Sequence, residues 1–487
     1  MKNIFTLWIP VLLFHLLFWE AEQGLNILLF TWVLTGGIYL KKQYAFERKQ
    51  VYLLLGAWNI SALFVAIHNS LLSIFVYGVF SFVLIGFLQE LTIRSWFLNL
   101  IESLRALFGG WVIGIKHSLQ KRPDFSGQYG AAFRKIRLLV LPLIIIVPFY
   151  FVYVQANADF AQLSTQFWSK INQFFQFDLD GGRIAHFILG ILLVSAVIST
   201  RYGLPELYNM DKSLQNNLTR TRRSFPWSHK MLALKNEYHI AVLSFISLNI
   251  LLVLVNLLDI YNVWFSFEEK TATELSQYVH QGTYLLILSI FMAMIVVLGF
   301  LRKNLNFYTE NKFLLKLIYI WLAQNAFLAI SVAIRNGHYI SHYGLAHGRI
   351  EVIFFLLLVL FGLYSMYQKV KEPKTVFYLI QKNGWAFLTM LLLSSSVNWD
   401  AFITRYNLKH HANDVYYITH RLQNNLVPLI DDFNGKNGDE PTIELKDFIS
   451  KGESHARRWE NSDWRSWTWG GYQQYRAWKN LDKKDVE

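Results

Sequence analysis

Near the end of one long apolar run, polar residues recur at a spacing that could do chemistry. In WLAQNAFLAISVAIRNGHYISHY, Gln324, Leu328, Ser331 and Arg335 fall at offsets of 0, 4, 7 and 11, so on an α-helix they share one stripe. Asn325 lies beside the stripe, and a helix continuing past Gly337 would extend it to His338 and His342. An amide in hydrocarbon must find a hydrogen-bond partner. A guanidinium at a membrane surface is a bidentate donor to a carboxylate or phosphate. The stripe therefore reads in two ways. It is the wall of an outward-facing polar pocket that takes a ligand or an anionic headgroup, with His280, His338 and His342 at its mouth. Alternatively it is interhelical bonding, in which each amide pair contributes about 1 kcal/mol. Asn249, Asn256 and Asp259 on another apolar run form a plausible partner set.

Other chemistries are weaker. His338 and His342 have the four-residue spacing at which two imidazoles on a helix chelate a metal. No Glu lies between them, and Arg335 and Arg349 nearby repel a cation, so they are only a weak candidate pair and no metal or cofactor is expected. Glu20 and Glu22, with Asp400 and His338, are the residues an envelope enzyme would use on a lipid-linked substrate. Carboxylates just after a first span are similar in position to those of multi-span glycosyltransferases, a likeness of place alone. No Walker-type loop, dinucleotide fingerprint or kinase set is present. The absence of cysteine removes disulfides, thiolate metal sites and thiol catalysis. The reading leans toward a non-enzymatic protein.

The elements that must position these residues are membrane helices. Of 487 residues, 54% are hydrophobic and only 16% charged, a composition that belongs in lipid. About eleven apolar stretches near spanning length run at 4–19, 25–40, 51–68, 71–88, 138–155, 184–200, 240–258, 283–300, 313–334, 350–367 and 379–397. The first segment follows only Lys2, has no small-residue cleavage site after it, and reads as a retained span. Pro142 and Pro148 in the fifth stretch could kink it. Lys and Arg crowd alternate loops, and the intervening loops hold only Lys170, Arg183, Lys270, Arg335 and Arg349. By the positive-inside rule the amino terminus is cytoplasmic and the tail lies outside an inner membrane. The net charge of +13 is thus a topology signal that also contacts anionic lipid, and nucleic-acid binding is not expected. The basic run Arg220, Arg222, Arg223 and Lys230 belongs to the same signal.

Residues 91–119 mix Arg94, Glu102, Arg105 and Lys116 with Trp96, Leu100, Leu104 and Phe108, which suggests an amphipathic helix on the cytoplasmic surface or a re-entrant one. Residues 159–177 suggest a second interfacial helix. The expected division is a transmembrane helical domain at 1–397 and a soluble tail at 398–487. In that tail, 410–434 suggests one amphipathic helix and 434–441 a turn. Trp459, Trp464, Trp467, Trp469, Tyr472, Tyr475 and Trp478 then follow closely. Such aromatics stack on sugars, recruit a partner protein, or dock the tail on headgroups and span ends.

The stretch 321–350 resembles the signature of an uncharacterised bacterial integral-membrane family, a domain-of-unknown-function family. VHQGTYLLIL at 279–288, SVNWDAFITRYNL at 396–408 and DWRSWTWGGYQQYRAW at 463–478 are similar to the same family, over about residues 180–480. The resemblance implies a multi-span inner-membrane protein with a short soluble tail and no established activity. It carries over no catalytic residues. The expectation is an all-α polytopic bundle whose partners are membrane lipids and a small-molecule or lipid ligand. A membrane scaffold or assembly factor is the further alternative.

Overall fold

A computed structural model describes residues 2–42, 46, 48–89, 93–120, 150, 154, 157–175, 181–198, 205–220, 230–265, 272–301, 304–410, 415–435 and 445–481. Among these, the side chains of 2–6, 110–120, 158, 171–175, 205, 230–233, 272–284, 435 and 445 lie outside the description. The expected span at 138–155 with Pro142 and Pro148, the cations Arg222 and Arg223, and most of the 434–441 turn lie outside the described residues.

The fold is all-α. Among the described residues its helices are α1 (Lys2–Phe18), α2 (Leu25–Lys41), α3 (Lys49–His68), α4 (Leu71–Gln89), α5 (Trp96–Gln120), α6 (Ala158–Phe175), α7 (Gly181–Ile198), α8 (Pro205–Ser213), α9 (Lys230–Asp259), α10 (Ala272–Phe300), α11 (Lys312–Tyr343), α12 (His347–Lys371), α13 (Val376–Ser394), α14 (Trp399–Lys409), α15 (Leu426–Gly435), α16 (Leu445–Glu460) and α17 (Trp469–Asn480). Among the described residues no strand occurs, and one isolated bridge joins Asn217 to Lys374. Seven of the described helices are long and apolar enough to cross a membrane: α3, α4, α7, α9 with its extension, α11, α12 and α13. Shorter apolar helices at Leu7–Phe18, Leu25–Lys41 and Leu285–Phe300 fall on three further expected spans.

Two cores organise the bundle. The first gathers Phe14, Phe30, Trp58, Phe80, Phe87 and Ile198 from α1 to α4 and α7. The second gathers Phe245, Ile290, Ile318, Trp321, Leu356 and Leu379 from α9 to α13. Helix α13 joins them, with Leu379 in the second core and Leu388 in the first. At the join, Trp385 and Trp96 meet edge to face at 5.2 Å. A Cβ on Gly384 would lie 2.2 Å from the Trp96 indole nitrogen, so only glycine admits that ring.

Backbone capping sorts the helix ends into two sets. At the tail end, Arg465 Nη1 donates to the carbonyls of Leu16 (2.5 Å) and Trp19 (3.1 Å). The Leu25 amide donates to the Trp467 carbonyl. Gly24 lies so close to Ser466 that a Cβ would stand 2.6 Å from its carbonyl oxygen. At the far end, buried Lys42 donates to the Leu88 carbonyl at the end of α4, and buried Lys369 to the Leu301 carbonyl just past α10. Gln89 donates to the Ala196 carbonyl, also at the far end. These side chains complete the carbonyls that a helix terminus leaves without intrahelical partners.

The tail departs from the expected single helix at 410–434. Tyr417–Arg421 winds as a π-turn, and α15 starts afresh at Leu426. Pro428 explains the break, because its ring clashes with the carbonyl four residues back and so bars a helix running through Asn424.

Candidate functional site

Helices α9 and α11 run parallel, and their polar residues meet along one seam. Asn249, Asn256 and Asp259 lie on one face of α9, at offsets of 0, 7 and 10. At the lower end, Gln324 Nε2 donates to Asn249 Oδ1 at 2.7 Å, and Asn249 Nδ2 donates to the carbonyls of Phe245 (2.6 Å) and Leu317 (3.1 Å). One step up, Asn256 Nδ2 donates to the Gln324 carbonyl at 3.3 Å. At the upper end, Ser331 Oγ donates to Asp259 Oδ2 at 2.9 Å and Arg335 Nη2 to Asp259 Oδ1 at 2.8 Å. The Arg335 and Asp259 side chains are only 5% and 12% exposed, so the ion pair is largely desolvated. Two seam oxygens, Asn256 Oδ1 and Gln324 Oε1, are buried without a hydrogen-bond partner.

The local geometry at Asp259 sets this up. α9 gives way to a π-turn over Ile260–Phe265, a form that recurs at functional sites. The turn directs the Val263 carbonyl toward His338, whose Nε2 donates to it at 3.1 Å. It also brings Trp264 onto Phe327, stacked at 5.2 Å, with its indole N–H 3.4 Å from Ser331 Oγ. Away from the seam, α9 presents Ile250, Leu251, Leu254, Leu257 and Leu258, all exposed. Between helices in lipid there is no hydrophobic driving force, so polar bonds and packing hold such a peripheral helix.

The structure therefore brings together Gln324, Ser331, Arg335 and His338 with Asn249, Asn256 and Asp259. Asn325 is buried but turns to its own helix, donating to the Trp321 carbonyl at 2.7 Å. His342 is exposed and its Nδ1 donates to the His338 carbonyl at 2.9 Å. His280 is on α10, and its side chain lies outside the described residues. His338 and His342 each direct a ring nitrogen to a backbone carbonyl. Among the described residues no group of three His, Cys, Asp or Glu side chains could hold a metal ion. Trp264 and the Val263 carbonyl escaped the sequence reading, because a π-turn leaves no periodic signal.

The acidic residues of the enzyme reading take separate partners. Glu22 pairs with Arg458 at 2.8 Å, both largely exposed, and Glu20 occupies the turn after α1 with a left-handed φ of 55°. Asp400 accepts from His347 Nε2 at 2.8 Å and from the amides of Gln423 and Asn424. Burial works to raise the Asp400 pKa, but the bonds from His347, Asn424 and Gln423 together hold it below its ordinary value. The aromatic run of the tail packs largely on itself, with Trp459 stacked on Tyr475 at 6.1 Å, while Trp464 and Trp469 stay exposed.

Long apolar helices, polar seams closed within the bundle and apolar outer faces define a membrane protein. The chain belongs to the family described as a domain of unknown function, DUF4153, whose model matches residues 51–433. That region includes both sides of the seam and the stretches at 279–288, 321–350 and 396–408. The stretch at 463–478 falls beyond it. No curated protein and no solved structure matches the chain.

Proposed function

We propose that this protein binds a ligand at the α9–α11 seam without transforming it, in the manner of a transporter or a lipid-binding membrane protein. The observation that carries the reading is a buried, unpartnered oxygen, Asn256 Oδ1, one turn of α9 from the Asp259–Arg335 ion pair, with a second, Gln324 Oε1, at the lower end of the seam. Oxygens of this kind accept from a ligand that carries N–H or O–H donors, and leaving them unmatched costs about 1–3 kcal/mol each. A zwitterionic headgroup at the upper end fits best: its ammonium meets Asn256 Oδ1 and Asp259, and its phosphate meets the fork of Arg335. The cation-rich loops at the far end support a cytoplasmic placement of that end in an inner membrane. The tail and the charged end of the seam then face outside.

The test uses the full chain in detergent with short-chain phosphatidylethanolamine as the probe. The wild type should melt higher as probe is added, because a ligand that binds only the folded state stabilises it by mass action. Asn256→Leu should lose that rise. A melting temperature that ignores the probe, or rises equally in Asn256→Leu, would leave the seam as packing between helices and end the binding reading.

A further inference from the structure

We infer that α5 crosses the bilayer and that its outward stripe, Phe97, Leu100, Leu104 and Phe108, is an interaction surface for lipid hydrocarbon. The charges of this segment suggest a helix lying on the cytoplasmic surface, yet its faces are arranged the other way round. Asn99, Glu102 and Ser103 are fully buried, whereas Phe97 is 67% and Phe108 53% exposed. A helix on a headgroup surface turns its polar face to water. Helix α5 turns its polar face into the protein and its apolar face out, the arrangement that suits a hydrocarbon surrounding.

The buried polar groups bond within the bundle and reveal the helix direction. Asn99 Nδ2 donates to the Val83 carbonyl at 3.1 Å, and Ser103 Oγ to the Phe82 carbonyl at 2.7 Å. Arg105 Nε donates to Glu102 Oε2 at 2.6 Å, so the carboxylate is neutralised one turn away. Gly86 admits this close crossing, since a Cβ there would lie 2.1 Å from Asn99 Oδ1. Rising residue numbers on α5 meet falling ones on α4, so α5 runs back antiparallel along a helix long and apolar enough to span. Its 25 residues reach about 38 Å at 1.5 Å each, against a hydrocarbon core of roughly 30 Å.

The ends of the neighbouring helix complete the case. α5 starts at the far end, where Arg94 and Ser95 bond Asp211. α7 starts at the tail end, where Arg183 lies 5.4 Å over Trp19 and His186 Nδ1 is 3.2 Å from His15 Nδ1. The chain thus makes one net crossing between 96 and 181. The crossing belongs to α5, which has the length, the direction and the lipid-compatible exterior to make it, rather than to the apolar stretch expected to span at 138–155, and residues 120 and 181 then lie on the same side. This departs from the charge rule, which assigns the cations from Lys121 to Arg137 to the far side.

The cysteine-free chain allows a direct test by single substitutions, labelled in sealed membranes with an impermeant maleimide. Gln120→Cys should label from the side that labels Gln23→Cys, in the tail-end turn, and be lost from the side that labels Asn216→Cys. Labelling of Gln120→Cys with Asn216→Cys would overturn the inference and return α5 to the far surface. As an independent readout, a fluorophore on Leu104→Cys should be quenched by lipids brominated mid-chain. Quenching by aqueous iodide instead would also overturn it.

Discussion

Two arginines show how burial decides what a charge contributes. Arg335 and its partner Asp259 are both nearly inaccessible, so removing either leaves the other as an unpaired charge in a low-dielectric setting. Arg335→Ala should destabilise the protein by about 3–5 kcal/mol, seen as a lower melting temperature in detergent. The double change Arg335→Gln with Asp259→Asn should recover part of that loss. Arg458, 67% exposed and paired with a half-exposed Glu22, is the control, with Arg458→Ala expected to cost less than about 1 kcal/mol. Equal losses for Arg335→Ala and Arg458→Ala would show that the seam pair is solvated after all.

At the scale of elements, side chains that satisfy backbone ends explain much of the tail. Lys451 Nζ donates to the carbonyls of Ile418 (3.4 Å), Thr419 (3.0 Å) and Leu422 (2.6 Å), closing the π-turn onto α16. Burial pushes the Lys451 pKa down to about 8, against a small opposing pull from Asp400. One turn further on, burial and the charges of Arg458 and Lys451 push His455 down to about 4. Between that value and the ordinary histidine value near 6.5 the unfolded tail binds more protons than the folded one. Stability of the tail should therefore fall as pH drops through this window, by at most about 3 kcal/mol. His455→Gln should flatten the dependence. Hydrogen exchange of the 445–481 amides, corrected for its intrinsic pH dependence, reads the effect, and an unchanged slope in the variant would count against it.

Across the whole molecule, the tail ties the two cores together at one end. It caps α1 and α2 through Arg465 and Trp467, meets His68 through Asn424, and holds the α11–α12 turn through Asn407. Asn407 exchanges both of its amide bonds with the backbone of Leu345, at 2.6 and 2.9 Å. Asn407→Ala strands a buried amide and carbonyl, a loss of about 1–3 kcal/mol. Trypsin should then release tail fragments on the order of tenfold faster, while the spanning helices stay intact. Unchanged cleavage would mean that the tail is held mainly by its other attachments.

The apolar runs, their lengths and the period of the α11 stripe were legible in the chain, because the bilayer imposes length and apolarity locally, residue by residue. The family resemblance was legible for the same reason, through contiguous stretches. Asp259 was visible as a partner for the stripe, but its pairing with both Ser331 and Arg335 depends on α9 and α11 running parallel in direct contact, with α10 carrying the chain back. The inversion of α5 was hidden. Composition records only that polar and apolar residues alternate on a helix, and which face meets protein or lipid follows from Gly86 and the helices packed around it. The separate partners of Glu22 and Asp400 are likewise tertiary outcomes, since a carboxylate's role is set by whatever the fold carries to it across hundreds of residues.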